Sequence, residues 1–219
     1  MSTKKLESKS LRDGFGEGLQ ELGAINPDVV ALTADLGESV RMLEFADSYP
    51  DRYFQVGIAE QNMAGIAAGL GLTGKIPYIG SFACFQPARN LDQIRTSICI
   101  MNSPVKIVSS HAGFSFPGDG LQIQALEDIA TMRALPNMEV YVPADAEQAA
   151  QIAIKIADTG KPAYLRLGRA KAETLSTSSK IDQELFQDLE LGKAQTLLSG
   201  SDGTIIACGY AVDLALDAA

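Results

Sequence analysis

Phe54-Gln55-Val56-Gly57-Ile58-Ala59-Glu60-Gln61-Asn62-Met63-Ala64-Gly65-Ile66-Ala67-Ala68-Gly69 joins two structural signals around a single acid. Tyr53, Phe54, Val56 and Ile58 alternate as in a strand, and the residues from Glu60 onward read as a helix dominated by Ala64, Gly65, Ala67, Ala68 and Gly69. A carboxylate therefore stands at a helix N-terminus beside a backbone bare enough for another surface to approach closely. Glu60 has two readings. As an ordinary first-turn acid it interacts favourably with the helix dipole, worth a few tenths to about 1 kcal/mol. Flanked by apolar and small residues, it is instead a desolvated acid, and a buried acid is a functional candidate.

Outward from this stretch the chain keeps one rhythm. Strand-like runs at Val29–Thr33, around Phe54, at Ile76–Phe82, Val105–Ser110, Met138–Val142 and Ala163–Leu167 alternate with helical patterns. Those helices cover Leu11–Leu22, Val40–Tyr49, the segment from Glu60, Pro87–Met101, Gln122–Leu135 and Ala146–Asp158. Six strands each separated by one helix specify an α/β fold: a doubly wound, mostly parallel six-stranded sheet with helices on both faces. Such sheets place their sites at the carboxyl ends of the strands, where Asp35, Glu60, Phe82, His111 and Arg169 fall. Residues 1–10 read as a polar tail, 11–170 as the domain, and 171–191 as a linker containing Ser176-Thr177-Ser178-Ser179-Lys180. Residues 192–219 begin a further unit with a hairpin, Gln195–Leu198 and Thr204–Cys208, and then a helix start; this unit is too short to enclose a core.

The 219 residues suffice for one good core. A net charge of −9 and a pI near 4.6 argue against nucleic acid or an anionic membrane as partner, since both demand clustered Lys and Arg. The N-terminus lacks the apolar core of a signal peptide, and no apolar run reaches about 18 residues, so the expected compartment is the cytoplasm. Cys84, Cys99 and Cys208 show no paired spacing, and His111 is the only histidine, so neither a disulfide framework nor a protein-held transition metal is expected. Gly69-Leu70-Gly71-Leu72-Thr73-Gly74 fits a dinucleotide fingerprint in letters only. It follows a helix and precedes a strand, the reverse of the required context. Gly14-Phe15-Gly16-Glu17-Gly18 has no strand before it.

Other chemistry-bearing residues cluster after strands. Phe82 and Phe85 are core aromatics or stacking partners for a flat heterocycle. His111 is a structural histidine or a ligand contact. Arg12 and Arg169 are solvated surface arginines or oxyanion forks.

The run Val56-Gly57-Ile58-Ala59-Glu60-Gln61-Asn62-Met63, with Arg52 and Phe54 upstream, resembles the pyrimidine-binding domain of transketolases, in particular the separate C-terminal subunit of split, two-chain transketolases. The resemblance covers residues 11 to about 170. It implies thiamine diphosphate as cofactor, with Glu60 hydrogen-bonding a ring nitrogen of the aminopyrimidine and so driving the tautomer that activates the thiazolium carbon. It also implies that Phe82 and Phe85 line the pyrimidine pocket, Asp35 lies near the cofactor, and His111 contacts the sugar with a catalytic role. Asp119 would read a substrate hydroxyl, and Arg12, Ser39 and Arg169 would hold a sugar phosphate. The chain departs from the family at two places. Ala88, with Arg89 beside it, stands where a third pocket aromatic is common. Ile123 stands where Gly-x-x-His-Gln normally places a histidine that contacts the donor carbonyl, a loss worth on the order of 10²-fold in rate.

The chain has no Gly-Asp-Gly with a downstream Asn of the kind that binds Mg²⁺ and diphosphate; Gly118-Asp119-Gly120 sits in a different context. The resemblance therefore implies a large N-terminal partner subunit holding the diphosphate and Mg²⁺, in a heterotetramer or around a homodimer of the small subunit. The expected activity is transfer of a two-carbon ketol unit from a ketose to an aldose. The alternatives are a subunit of another thiamine diphosphate enzyme, of the deoxyxylulose-phosphate synthase or 2-oxo acid dehydrogenase β type, or a non-catalytic stabilising partner.

Overall fold

The computed structural model describes residues 8–219. Val29–Thr33 (β2), Tyr53–Gln55 (β3), Ile76–Phe82 (β4), Lys106–Ser110 (β5), Glu139–Tyr141 (β6) and Ala163–Arg166 (β7) form one sheet in the order β3-β2-β4-β5-β7-β6, with every pairing parallel. The central strands β2 and β5 are buried along their whole length, as a parallel sheet covered on both faces requires.

One face packs against Leu11–Ile25 (α1) and Ala146–Lys155 (α6), with Phe15, Leu19, Tyr78, Val108, Ile152 and Leu165 in its core. The other carries Glu60–Leu72 (α3) and a short helical run, Leu91–Gln93 (α4), that continues as a π-helix over Ile94–Ile100. Met63, Ala64, Ala67, Ile94 and Ile98 meet Leu32, Ile79 and Ile107 there. Leu43–Ser48 (α2) and Asp128–Arg133 (α5) complete the cover. No helix among the described residues is long and apolar enough to cross a membrane.

The glycines of Gly14-Phe15-Gly16-Glu17-Gly18 find their role in packing. A Cβ at Gly14 would lie 2.0 Å from the carbonyl oxygen of Ala146, and one at Gly18 would lie 2.6 Å from that of Ala150, so α1 and α6 touch backbone to backbone. Gly14→Ala is therefore expected to destabilise by about 1–3 kcal/mol through overpacking, although in a free helix the change is favourable by about 1 kcal/mol. Denaturant unfolding of the variant measures the sign directly.

Several elements are shorter than the sequence pattern suggests. The strand read through Ile58 stops at Gln55, whose side-chain carbonyl accepts the N–H groups of Asp35 and Gly57 at 2.8 and 3.0 Å. Phe54 and Ile58 are consequently exposed. The helix read over Pro87–Met101 begins only at Leu91, because residues 84–90 turn around Gln86, whose amide donates to the carbonyls of Ile79 and Val108. The helix read over Gln122–Leu135 is a 3-10 turn at Leu121–Ile123 and then α5. The Ala125 carbonyl between them is taken by the N–H of Gly113 across the site.

At the ends of the chain, Ser8–Ser10 (β1), read as polar tail, pairs antiparallel with Lys171–Glu173 (β8), the opening of the segment read as linker. The hairpin expected at 195–198 and 204–208 does not form. Those residues have no regular structure, and Ile205 and Ile206 face solvent, so the pairing that would bury them is not made. The helix start is present as Ala211–Ala218 (α7), whose Val212 packs on Leu175 and Ile181.

Candidate active site

Glu60 opens α3 and is 4% exposed. Its backbone carbonyl accepts from Asn90 Nδ2 at 3.2 Å, Asn90 reaches back to Gln86, and the Gln86 carbonyl accepts from Ser109 Oγ at 2.6 Å. This buried amide network joins the helix start to the turn after β4. The Glu60 carboxylate faces Arg89, whose Nη1 donates to its two oxygens at 3.3 and 3.5 Å. Arg89 itself lies over the Phe85 ring, 4.2 Å from the centroid.

From there the contacts run on without a break. Phe85 stacks with Phe82, with centroids 5.9 Å apart and planes 16° apart, and Phe82 lies 3.9 Å from the His111 ring. Phe116 meets His111 edge-on at 5.4 Å, and Arg169 stands over Phe116 at 4.0 Å. The structure thus brings Glu60, Phe85, Phe82, His111 and Arg169 into one wall along the carboxyl ends of β4, β5 and β7.

His111 adopts a left-handed backbone (φ 60°) just after β5, and its ring packs against Phe82 and Phe116. Its Nδ1 is 2.9 Å from Ser110 Oγ. Burial, reinforced by the charges of Arg12 and Arg169, pushes its pKa down to about 4. The imidazole is therefore neutral at neutral pH, and protonating it costs the folded state. A histidine whose folded pKa lies below its unfolded value near 6.5 leaves stability intact above pH 6.5 and drains it as the pH falls toward 4. Removing it with His111→Gln is expected to flatten that part of the stability profile, measured by urea unfolding between pH 7 and 4.

Arg12 and Ser39 lie together: Arg12 Nη1 donates to the Ser39 carbonyl at 2.9 Å. The Arg12 pKa is lowered by burial and by the nearby charges of Arg41 and Arg169. Its Nε is buried and has no hydrogen-bond partner among the described residues. Arg41, in a left-handed conformation, is anchored by Asp13 at 2.6 Å. Asp35 and Asp119 are exposed and make no side-chain contact with this wall, although the Asp119 charge acts on Cys84. Burial holds the Cys84 thiol up at about 11, so it stays protonated among these groups. Ile123 is nearly buried on the loop after His111.

A family model described as transketolase, pyrimidine binding domain, matches residues 7–174. The chain belongs to the transketolase family. It is 41% identical over 210 residues to a putative transketolase C-terminal section of Methanocaldococcus jannaschii, covering 96% of this chain and 65% of that protein. It is 36% identical over 201 residues to one of the subunits of an apulose-4-phosphate transketolase of Phocaeicola vulgatus, covering 92% of this chain and 62% of that one. A solved structure described as a split gene transketolase, inactive beta4 tetramer, superimposes with a TM-score of 0.82 at 42% identity, covering 97% of this chain and 67% of that chain. The chain thus spans less than two thirds of the two curated relatives' lengths.

Several groups in this transketolase-type wall escaped the sequence reading. Phe116 and Ser110 flank His111 in the sequence, and proximity to the only histidine was the available signal. Gln86 and Asn90 carried none, because buried amides look like surface residues in a one-dimensional pattern. Asp128 and Arg166 also went unread: Arg166 Nε and the Tyr164 hydroxyl each donate to Asp128 Oδ2 at 2.8 Å beneath Gly113.

Proposed function

We propose that this chain is the small subunit of a thiamine diphosphate-dependent transketolase, transferring a two-carbon ketol unit from a ketose phosphate to an aldose in complex with a large subunit. The observation that carries the proposal is the buried Glu60 carboxylate beside the stacked face of Phe85. An aminopyrimidine needs this donor set, an aromatic face and one desolvated carboxylate at its edge.

When bound, the cofactor supplies the carbanion chemistry. This chain supplies Glu60 to hold a proton at the ring nitrogen, Phe82 and Phe85 to orient the ring, and Asp35 near it. His111, neutral and set by Ser110, contacts the sugar together with Asp119. Arg12 and Arg169, with Ser39 beside Arg12, form a cationic corner for the phosphate. The phosphate named in one relative fits such a corner.

Mg²⁺ and the diphosphate are assigned to the large subunit. The surface offered to it is the outer face of α3 and the loop before it, where Gln61, Asn62, Gly65, Ile66 and Gly69 are exposed and Ile58 is 73% exposed. A tetramer of this chain alone, as named for one relative, is the expected resting assembly without the large subunit. Ile123 favours a second reading, a stabilising partner without catalytic role, because its side chain neither donates a hydrogen bond nor moves a proton.

Replacing Arg169 with alanine is expected to raise KM about 10- to 100-fold for a phosphorylated donor, the cost of a charge-assisted hydrogen bond, and to leave an unphosphorylated donor unchanged. Calorimetry of thiamine diphosphate with Mg²⁺, on this chain alone and mixed with the large subunit, followed by a ketol-transfer assay, tests the whole reading. Binding and turnover only in the mixture support it. No binding in either case favours the stabilising partner.

A further inference from the structure

Arg89 touches the two groups that the cofactor ring is assigned to use, and it touches them simultaneously. Its guanidinium is planar, carries N–H donors along its edge and stacks well on aromatic faces. It covers the Phe85 ring at 4.2 Å while its Nη1 points between the two oxygens of Glu60. An aminopyrimidine would offer Phe85 and Glu60 the same pair of features, a flat π-face and a hydrogen-bonding edge. The two cannot use one ring face and one carboxylate together.

The arginine is also built to leave. Both hydrogen bonds to Glu60 are long, they share one nitrogen, and the Arg89 side chain is 50% exposed while its acid is 4% exposed. Its stem rises from the turn before α4, so rotation about the side chain alone carries the guanidinium into solvent. Glu60, by contrast, is fixed through its own backbone by Asn90.

We propose that Arg89 competes with the aminopyrimidine for the Phe85 face and the Glu60 carboxylate, and so sets the affinity of the site for its cofactor. The inference rests on the function proposed above. The guanidinium must swing away before the ring seats, and the free energy of its cation–π contact and half-exposed ion pair is subtracted from binding. Arg89 is thus an affinity-determining residue that acts by withdrawing.

Thiamine diphosphate with Mg²⁺ is titrated calorimetrically into the complex of this chain with its large subunit, as wild type, Arg89→Met and Arg89→Lys. Arg89→Met is expected to tighten the dissociation constant about five- to tenfold, since a cation–π contact and a partly exposed ion pair are each modest. Arg89→Lys, which keeps the charge and loses the planar face, is expected to tighten it less. Unchanged or weaker binding by Arg89→Met overturns the proposal and makes Arg89 a bystander or a direct cofactor contact. If Arg89→Met does not assemble, Arg89→Lys decides by the same sign. A wild-type complex that binds no cofactor overturns the functional reading as well, which separates the two failures.

Discussion

Glu60→Gln is expected to lower the kcat of ketol transfer by the reconstituted complex about 10²- to 10⁴-fold, the range for loss of a positioned general acid, while the complex still assembles. The substitution is nearly isosteric, so the packing of a side chain that is 4% exposed is kept. The Asn90 contact also survives, because it is made to the Glu60 backbone carbonyl and not to the carboxylate. What changes is the ability to hold and release a proton. A glutamine amide accepts or donates a hydrogen bond and cannot shift a tautomeric equilibrium by proton transfer. The loss of the pairing with Arg89 adds little, since that arginine is half-exposed and the bonds are long. Full activity of the Gln variant, with assembly confirmed by gel filtration, would remove Glu60 from the mechanism and leave it a helix-dipole acid.

The second large effect concerns stability. Asp128 is 1% exposed and is shared by Arg166 and Tyr164, both at 2.8 Å. A Cβ on Gly113 would lie 2.9 Å from Arg166 Nη2, so the guanidinium also fills the space under the loop that runs from His111 to Ile123. Removing the acid in Asp128→Ala leaves a largely buried cation and a buried phenol without their acceptor, and a loss of about 3–5 kcal/mol in unfolding free energy is expected. Adding Arg166→Met to that variant removes the uncompensated charge and should recover much of it, because a packed apolar pair often replaces a buried ion pair at little cost. Chemical denaturation of the two single variants and the double closes the cycle. A double variant no more stable than Asp128→Ala would show that the acid matters for packing alone.

The outline of the sheet was readable because it depends on short-range patterns, and the family because the run around Glu60 resembles a known motif. Val29–Thr33 and Ile76–Phe82 are largely apolar runs of strand length, and the structure has strands with those same bounds. The helix start at Glu60 was equally visible, since an acid followed by Asn62, Met63 and small residues is a local arrangement. Where local and tertiary demands competed, the tertiary ones prevailed. Gln55 spends its side chain on two backbone N–H groups, so the strand ends early, and the Ala125 carbonyl bonds across to Gly113, so a helix pattern breaks into two pieces.

Local pattern alone specified a parallel α/β domain with one acid at a helix N-terminus and a set of aromatic and cationic residues after the strands, and the family came from the resemblance carried by the run around Glu60. Which of those side chains meet was settled by packing in three dimensions. Arg89 reaches Glu60 across 29 residues and Arg166 reaches Asp128 across 38, and Gly14 admits the backbone of Ala146 from the far end of the domain. Periodicity records which face of an element is buried. It holds no record of which partner fills the space opposite, because that is set by the packing of elements far apart along the chain.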